Sequence, residues 1–201
     1  MRIFLASANP NKAAEFRDMS GAAAGRTIEV VSAAELGGMP HVDEDTGTFL
    51  GNARKKAAAL KGLVPPGAWS LADDSGLCVE ALGGAPGVES AYYAGPQGDP
   101  AANLAKLVAA MDGVPEGGRG AEFVCVLVVL GPGGVEKAFQ GRCRGRLAAA
   151  PRGAGGFGYD PLFVPDGHDR TLAEMPAEEK NRVSHRGRAW AACVGWLAAR
   201  E

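Results

Sequence analysis

The sequence predicts an α/β fold. Three observations carry it. A short β-type run at 2–6 passes through a small-residue loop into a helical segment at 13–19. The stretch 101–111 places Leu104, Leu107, Val108 and Met111 at helical spacing, as an amphipathic helix requires. The stretch 121–130 is almost unbroken apolar and rich in β-branched residues, and it stops at Gly131-Pro132-Gly133-Gly134. A run of that kind reads as a central buried strand followed by a hairpin turn, with a return strand over 135–147.

Length and composition set the bounds. A chain of 201 residues suits one large domain or a domain with two lobes, and it buries enough surface to need no staples. A formal net charge of -2 argues against tight nonspecific binding to nucleic acid or to an anionic membrane. Cys78, Cys125, Cys143 and Cys193 form no Cys-x-x-Cys pair, and three sit in apolar runs. They are expected as buried free thiols in a reducing compartment. The apolar start, Met1 to Ala6, soon meets Asn9-Pro10-Asn11-Lys12 and is too short for a signal sequence. No later run could span a bilayer. A cytoplasmic protein is the expectation.

Taken in order, the first strand leads to Ser7-Ala8-Asn9-Pro10-Asn11-Lys12, and Asn9 or Asn11 can cap the helix that follows. A strand, a small-residue loop and a helix start make an anion site, because free backbone N–H groups and the helix dipole point into the loop. Lys12 adds a full charge. A plain connection with a solvated lysine is the alternative. A second strand is expected at 28–31. His41-Val42-Asp43-Glu44-Asp45-Thr46 then leads into a helix over roughly 48–61. Its acids complement the helix dipole, or one of them reaches a metal. Lys55 and Lys56 are either solvated or in contact with phosphate.

The central motif is Ser70-Leu71-Ala72-Asp73-Asp74-Ser75-Gly76-Leu77-Cys78-Val79, read as strand, acidic turn, strand. Two adjacent carboxylates raise one another's pKa. Mg²⁺ would relieve the conflict, since it takes carboxylate and phosphate oxygens alike. An ordinary solvated turn is the other reading. The arginines at 142, 144 and 146 alternate along the return strand and are expected to face solvent. The loop Gly153-Ala154-Gly155-Gly156-Phe157-Gly158-Tyr159-Asp160 combines four glycines, two aromatics and a carboxylate. That is either the chemistry of a purine pocket or a turn with its aromatics packed inward. Pro176, Glu178 and Glu179 open a helix that carries Lys180. Ser184-His185-Arg186 begins a terminal helix with Trp190, Cys193, Val194 and Leu197 on its apolar face.

Seven blocks in order resemble the inosine triphosphatase family, the XTP/dITP pyrophosphatases. They are Ser-x-Asn-x-x-Lys at 7–12, Asp-Thr-Gly-Thr-Phe at 45–49, Ala-Asp-Asp-Ser-Gly-Leu at 72–77, Leu-Gly-Gly-Ala-Pro-Gly at 82–87, Gly-Gly-Phe-Gly-Tyr-Asp-Pro at 155–161, Glu-Lys at 179–180 and Ser-His-Arg at 184–186. The resemblance implies one domain over 1–201, an elongated mixed β-sheet with flanking helices forming two lobes around a central cleft, usually a homodimer. It implies Mg²⁺-dependent cleavage of a purine nucleoside triphosphate, ITP, dITP or XTP, between the α- and β-phosphates. Asp74 is then the catalytic carboxylate and metal ligand, with Glu44 or Asp45 as the second acid. Ser7, Ala8, Asn9, Pro10, Asn11 and Lys12 form the N-terminal substrate loop. Lys56 and Ser75 contact substrate. Phe157, Gly158, Tyr159 and Asp160 form the base pocket, completed by Lys180, His185 and Arg186. Three departures from the family pattern stand out. The usual Thr-Gly-Asn is Ser7-Ala8-Asn9, the acidic motif is one residue shorter, and Gly51 replaces a glutamate before Asn52-Ala53.

In chemical terms, Asp74 or Asp73 would orient the attacking water, and Lys12 and Lys56 would stabilise charge on the leaving pyrophosphate. Arg186 or a backbone N–H would meet the 6-keto oxygen of the base and Asp160 its ring N–H. Adenine reverses both. A Maf-like pyrophosphatase would open with a Ser-Pro-Arg-Arg loop, which 7–12 lacks, and a nucleotide sensor would have no use for Asp73, Asp74 and Lys12 together.

Overall fold

The computed structural model describes residues 1–23 and 26–200. Among these, seven strands share one sheet in the order β2-β3-β1-β4-β5-β6-β7. They are β1 (Arg2–Leu5), β2 (Gly21–Ala23), β3 (Arg26–Ser32), β4 (Trp69–Val79), β5 (Gly120–Leu130), β6 (Glu136–Leu147) and β7 (Phe163–Pro165). β1 runs parallel to β3 and to β4, with Phe4 opposite both Val31 and Ser70. β2 is antiparallel to β3, and β6 to β7, so the sheet is mixed. The helices are α1 (Pro10–Asp18), α2 (Phe49–Lys61), α3 (Pro100–Ala110), α4 (Ala177–Val183) and α5 (His185–Ala198). The α/β class and the mixed sheet with flanking helices are as expected.

The helix starts follow their caps. Asn9 accepts from the N–H groups of Asn11 and Lys12, Thr48 from that of Gly51, and Asp99 from those of Ala101 and Ala102. Each cap is worth about 0.5–2 kcal/mol. α1 therefore begins at Pro10 and not at 13: proline is pre-set for a first helical position, and its missing N–H costs nothing there. β2 has no counterpart among the expected elements. The larger correction is at the central motif. No turn interrupts it; β4 is one continuous strand of 11 residues through Asp73 and Asp74.

The Cα positions cluster into two compact units. The first holds Met1–Asp74, Cys125–Gly141 and Gly187–Glu201. Its core includes Ile3, Leu5, Phe16, Leu71, Leu127, Trp190 and Leu197. Phe16 meets Trp190 edge-on at 5.4 Å, and the Trp190 indole N–H donates to the Met19 carbonyl. The apolar face expected of the terminal helix is thus the buried one. The second unit holds Ser75–Val124 and Arg142–Arg186. Its core includes Leu77, Leu107, Met111, Phe123, Tyr159, Leu162 and Phe163. Each large apolar side chain fully buried in these cores contributes about 1.5–3 kcal/mol. Arg142, Arg144 and Arg146 are exposed, as their alternation suggests, and Arg142 bonds Glu122 at 2.5 Å.

Candidate active site

Side chains alternate along a strand, so β4 sends its two adjacent carboxylates to opposite faces. Asp73 is completely covered. Its Oδ1 accepts from the Lys12 ammonium of α1, and its Oδ2 from the Cys125 thiol of β5 at 3.3 Å. Asp74 faces α2, as does Ser70, whose hydroxyl donates to the Ala57 carbonyl at 3.0 Å. The Lys56 ammonium donates to Asp74 Oδ1 at 2.6 Å and to Glu44 Oε2 at 2.8 Å. Asp74 Oδ2 is buried and has no donor among the described residues. Alternation thus removes the like-charge conflict that adjacency in sequence suggested, and each acid has its own lysine.

Charge and burial act against each other here. Burial pushes the Asp74 carboxyl up to about 7, although Lys56 pulls the other way. Burial also raises Glu44, but the charge and hydrogen bond of Lys56 outweigh it and leave Glu44 below the usual carboxylate range. Burial alone would lower Lys56; the Asp74 and Glu44 carboxylates together hold it above its ordinary value. Asp45 lies outside this group. It is exposed and paired with Lys55 at 2.6 Å, whose hydrogen bond and charge lower its pKa. Of the two acids left open by the sequence, the fold brings Glu44 to Asp74.

Among the described residues no three His, Cys, Asp or Glu side chains gather as a metal cage. Two carboxylates, one with an oxygen lacking a donor among the described residues, still suit a hard cation. Such an ion is commonly held by one or two carboxylates and completes its shell with water and phosphate oxygens. Carboxylate oxygens suit such an ion better than they suit zinc, which favours nitrogen and sulfur ligands.

The acidic loop packs directly against Gly51. A Cβ at Gly51 would lie 2.2 Å from Thr46 Oγ1 and 2.6 Å from Thr46 Cβ. Thr46 is held there by its hydroxyl, which donates to Asn52 Oδ1 at 2.7 Å. Thr46 thus fills the space a side chain at 51 would need.

The N-terminal loop differs from expectation in one respect. The Asn9 side chain occupies the N–H groups of Asn11 and Lys12, so those two donors do not point freely into the loop. The Asn9 N–H itself donates to Ser7 Oγ at 3.1 Å. Ala8, Pro10 and Asn11 are exposed, and Lys12 is half-buried.

In the second unit the glycine-rich loop is built on Asp160. Its Oδ2 accepts from the Phe157 N–H at 2.8 Å and from the Lys180 ammonium at 2.6 Å. Gly156 sits at φ +66°, and a Cβ there would come within 2.3 Å of that same oxygen, so only glycine admits the turn. Asp160 is 4% exposed. Asp160, expected to meet a purine ring N–H, gives this one oxygen to the turn. Tyr159 is likewise turned inward. It belongs to the core, its hydroxyl donates to the Ser90 carbonyl at 2.8 Å, and burial, then Tyr93, raises its pKa. Phe157 is half-buried, with the Lys180 ammonium 5.0 Å and the Arg186 guanidinium 5.5 Å from its ring centre. Gly158 lies beside it at φ +61°. Arg186 donates to Ser75 Oγ at 3.0 Å, and His185 is stacked on Phe123.

Cys125, Ser90 and Phe123 belong with these residues and were missed in the sequence. Phe123 and Cys125 lie in the apolar run of β5, where nothing local marks one residue from the next. Ser90 is recognisable only from what reaches it, the Leu77 N–H and the Tyr159 hydroxyl.

A lysine-bridged pair of carboxylates, one oxygen lacking a donor among the described residues, suits a metal-bound polyanion. An aromatic ring flanked by two cations on a glycine turn suits a planar base. On an α/β sheet these define a nucleotide-handling protein. The chain belongs to the Ham1 family, whose sequence profile matches residues 3–196. It is 57% identical over 199 residues to the dITP/XTP pyrophosphatase of Opitutus terrae, covering 98% of each chain. It is also similar to two solved structures, each covered in full and covering all of this chain. One is the Ham1 protein of Staphylococcus aureus, with a TM-score of 0.83 at 36% identity. The other is a Ham1 protein of Coxiella burnetii, with a TM-score of 0.84 at 35% identity.

Proposed function

We infer that this protein is a dITP/XTP pyrophosphatase, a hydrolase that converts non-canonical purine nucleoside triphosphates and water to the monophosphate and pyrophosphate. The observation that carries the activity is the near full-length likeness to a dITP/XTP pyrophosphatase at 57% identity. The geometry that supports the mechanism is Asp74, buried, with one oxygen on Lys56 and the other lacking a donor among the described residues.

Asp74 Oδ2, the carboxylate oxygen with no donor among the described residues, is the acceptor for the attacking water. Asp74 and Glu44 are the residues that hold Mg²⁺, which when bound neutralises phosphate charge that would otherwise repel the water. Asp73 is not the base; it fixes Lys12. Lys12 and Lys56 supply positive charge against the departing pyrophosphate. Ser7, Asn9 and the rest of the 7–12 loop present that lysine to the phosphates.

Phe157 stacks on the base, and Arg186, braced on Ser75, donates to the 6-keto oxygen of hypoxanthine or xanthine. An amino group at that position leaves the guanidinium opposed by a donor, a mismatch that costs orders of magnitude in rate. Lys180 and Asp160 serve the base through the turn they hold, and His185 faces it from the start of α5. This reading takes the protein to be a cytoplasmic homodimer. Cys78, Cys125, Cys143 and Cys193, all present as thiols, fit a reducing compartment, and light scattering on the purified chain checks the dimer.

Turnover of dITP, XTP, dGTP and dATP with Mg²⁺ tests the function, with pyrophosphate and orthophosphate scored separately. Fast pyrophosphate release from dITP and XTP, with little from dATP, is expected. Orthophosphate release would move the cut to the outer phosphates and defeat the assignment of Asp74. Binding of dITP without release would make the protein a sensor.

A further inference from the structure

Phe123 carries no motif, yet the His185 ring rests on it. The two rings are 7° from parallel with centroids 4.6 Å apart. Phe163 of β7 closes on Phe123 from another side, at 4.8 Å and 61°. All three residues belong to the second unit and are buried, His185 to 4% exposure. An imidazole makes its hydrogen bonds in the plane of its ring. Whatever fixes that plane fixes the directions in which Nδ1 and Nε2 can act. The backbone at the start of α5 fixes where the His185 Cα lies, but it does not set the plane of the ring. The flat face of Phe123, itself held by Phe163, lies parallel to that plane and limits its rotation.

We propose that Phe123 is a positioning residue for base recognition, holding the His185 ring in the plane from which it meets the purine. The proposal rests on the reading above that His185 serves the base. Phe123 touches neither substrate nor metal in this account; it acts through His185 alone. Aliphatic residues at 123 would fill the core but offer no face to stack on.

The test is a double-mutant cycle with a substrate-free readout. Phe123→Leu is expected to raise KM for dITP roughly three- to tenfold, the range a lost aromatic pair corresponds to. It should leave kcat nearly unchanged and narrow the preference for dITP over dATP, and Phe123→Tyr should restore both. In a His185→Ala background, Phe123→Leu should change that preference no further. An equal effect in both backgrounds, or an unchanged preference with only a lowered Tm, overturns the proposal. Without substrate, the His185 ring protons should resonate upfield of those of His41 and His168, and Phe123→Leu should abolish the displacement. An undisplaced His185 signal overturns the stack itself. A wild-type enzyme that leaves dITP intact defeats the functional reading and the role in base choice with it. A persisting ring shift then distinguishes that failure from a failure of the stack.

Discussion

Asp74 combines burial, one lysine partner and one oxygen lacking a donor among the described residues, and each has a measurable consequence. Asp74→Asn keeps the shape and the Lys56 contact but removes the acceptor for water. Turnover of dITP should fall by about 10²–10⁴-fold, the range for a positioned acid–base group, while Tm stays near that of the wild type. Burial sets a pH signature as well. The folded value of about 7 lies above the ordinary value of 3.8, so the native state holds this proton more tightly than the unfolded chain does. The stability it contributes is complete below about pH 4 and is lost as pH rises through 7. Melting in EDTA should therefore show a decline between about pH 4 and 7 that Asp74→Asn flattens. Lys56 is the counterpart. Lys56→Met leaves the Glu44 and Asp74 carboxylates without their shared cation. Its Tm should drop in EDTA and recover with added Mg²⁺ by more than the wild-type Tm does. Equal recovery in both proteins would remove these two acids from the metal site.

At the scale of elements, β4 and α2 divide the work. The strand separates Asp73 from Asp74 by alternation, and the helix brings Lys56 and the preceding loop to one face only. The fit between that loop and α2 is tight at Gly51, where Thr46 fills the space beside the backbone. Gly51→Ala should cost about 1–3 kcal/mol in denaturant unfolding, as overpacking commonly does. Thr46→Gly should recover most of that cost in the double variant. A neutral Gly51→Ala would mean that the loop yields. Much at this scale was legible beforehand. Helical spacing marked α3, a β-branched run marked β5, and Asn9 and Asn11 were both open as the cap of α1, which the fold gives to Asn9. The continuity of β4 was not legible. Asp, Ser and Gly favour turns locally, and only pairing with neighbouring strands overrides that preference.

Across the whole molecule, the apolar pattern resolves into a core for each compact unit, and the cysteines follow it. Cys125, Cys143 and Cys193 are buried and Cys78 is half-buried. Burial pushes Cys193 up to about 12 and also raises Cys78, where Glu122 adds to the effect. A thiol reacts as its thiolate. In the native protein at pH 8 a disulfide reagent should therefore titrate Cys78 slowly and the other three hardly at all, with all four reacting in denaturant. Rapid native reaction of Cys125 would show that the Asp73 group opens.

The sequence by itself determined the class of fold, most of the elements, and the set of residues from which the site is drawn, because periodicity, caps and motif blocks are local properties of the chain. Tertiary structure alone decided how that set is used. It chose Glu44 over Asp45 as the neighbour of Asp74, gave Asp73 to Lys12, turned Tyr159 and one oxygen of Asp160 inward, and laid His185 on Phe123. These choices depend on the path of a loop and the register of strands distant in sequence. They are settled by which buried charge finds a partner and which ring finds a face, and no short window of residues contains that information.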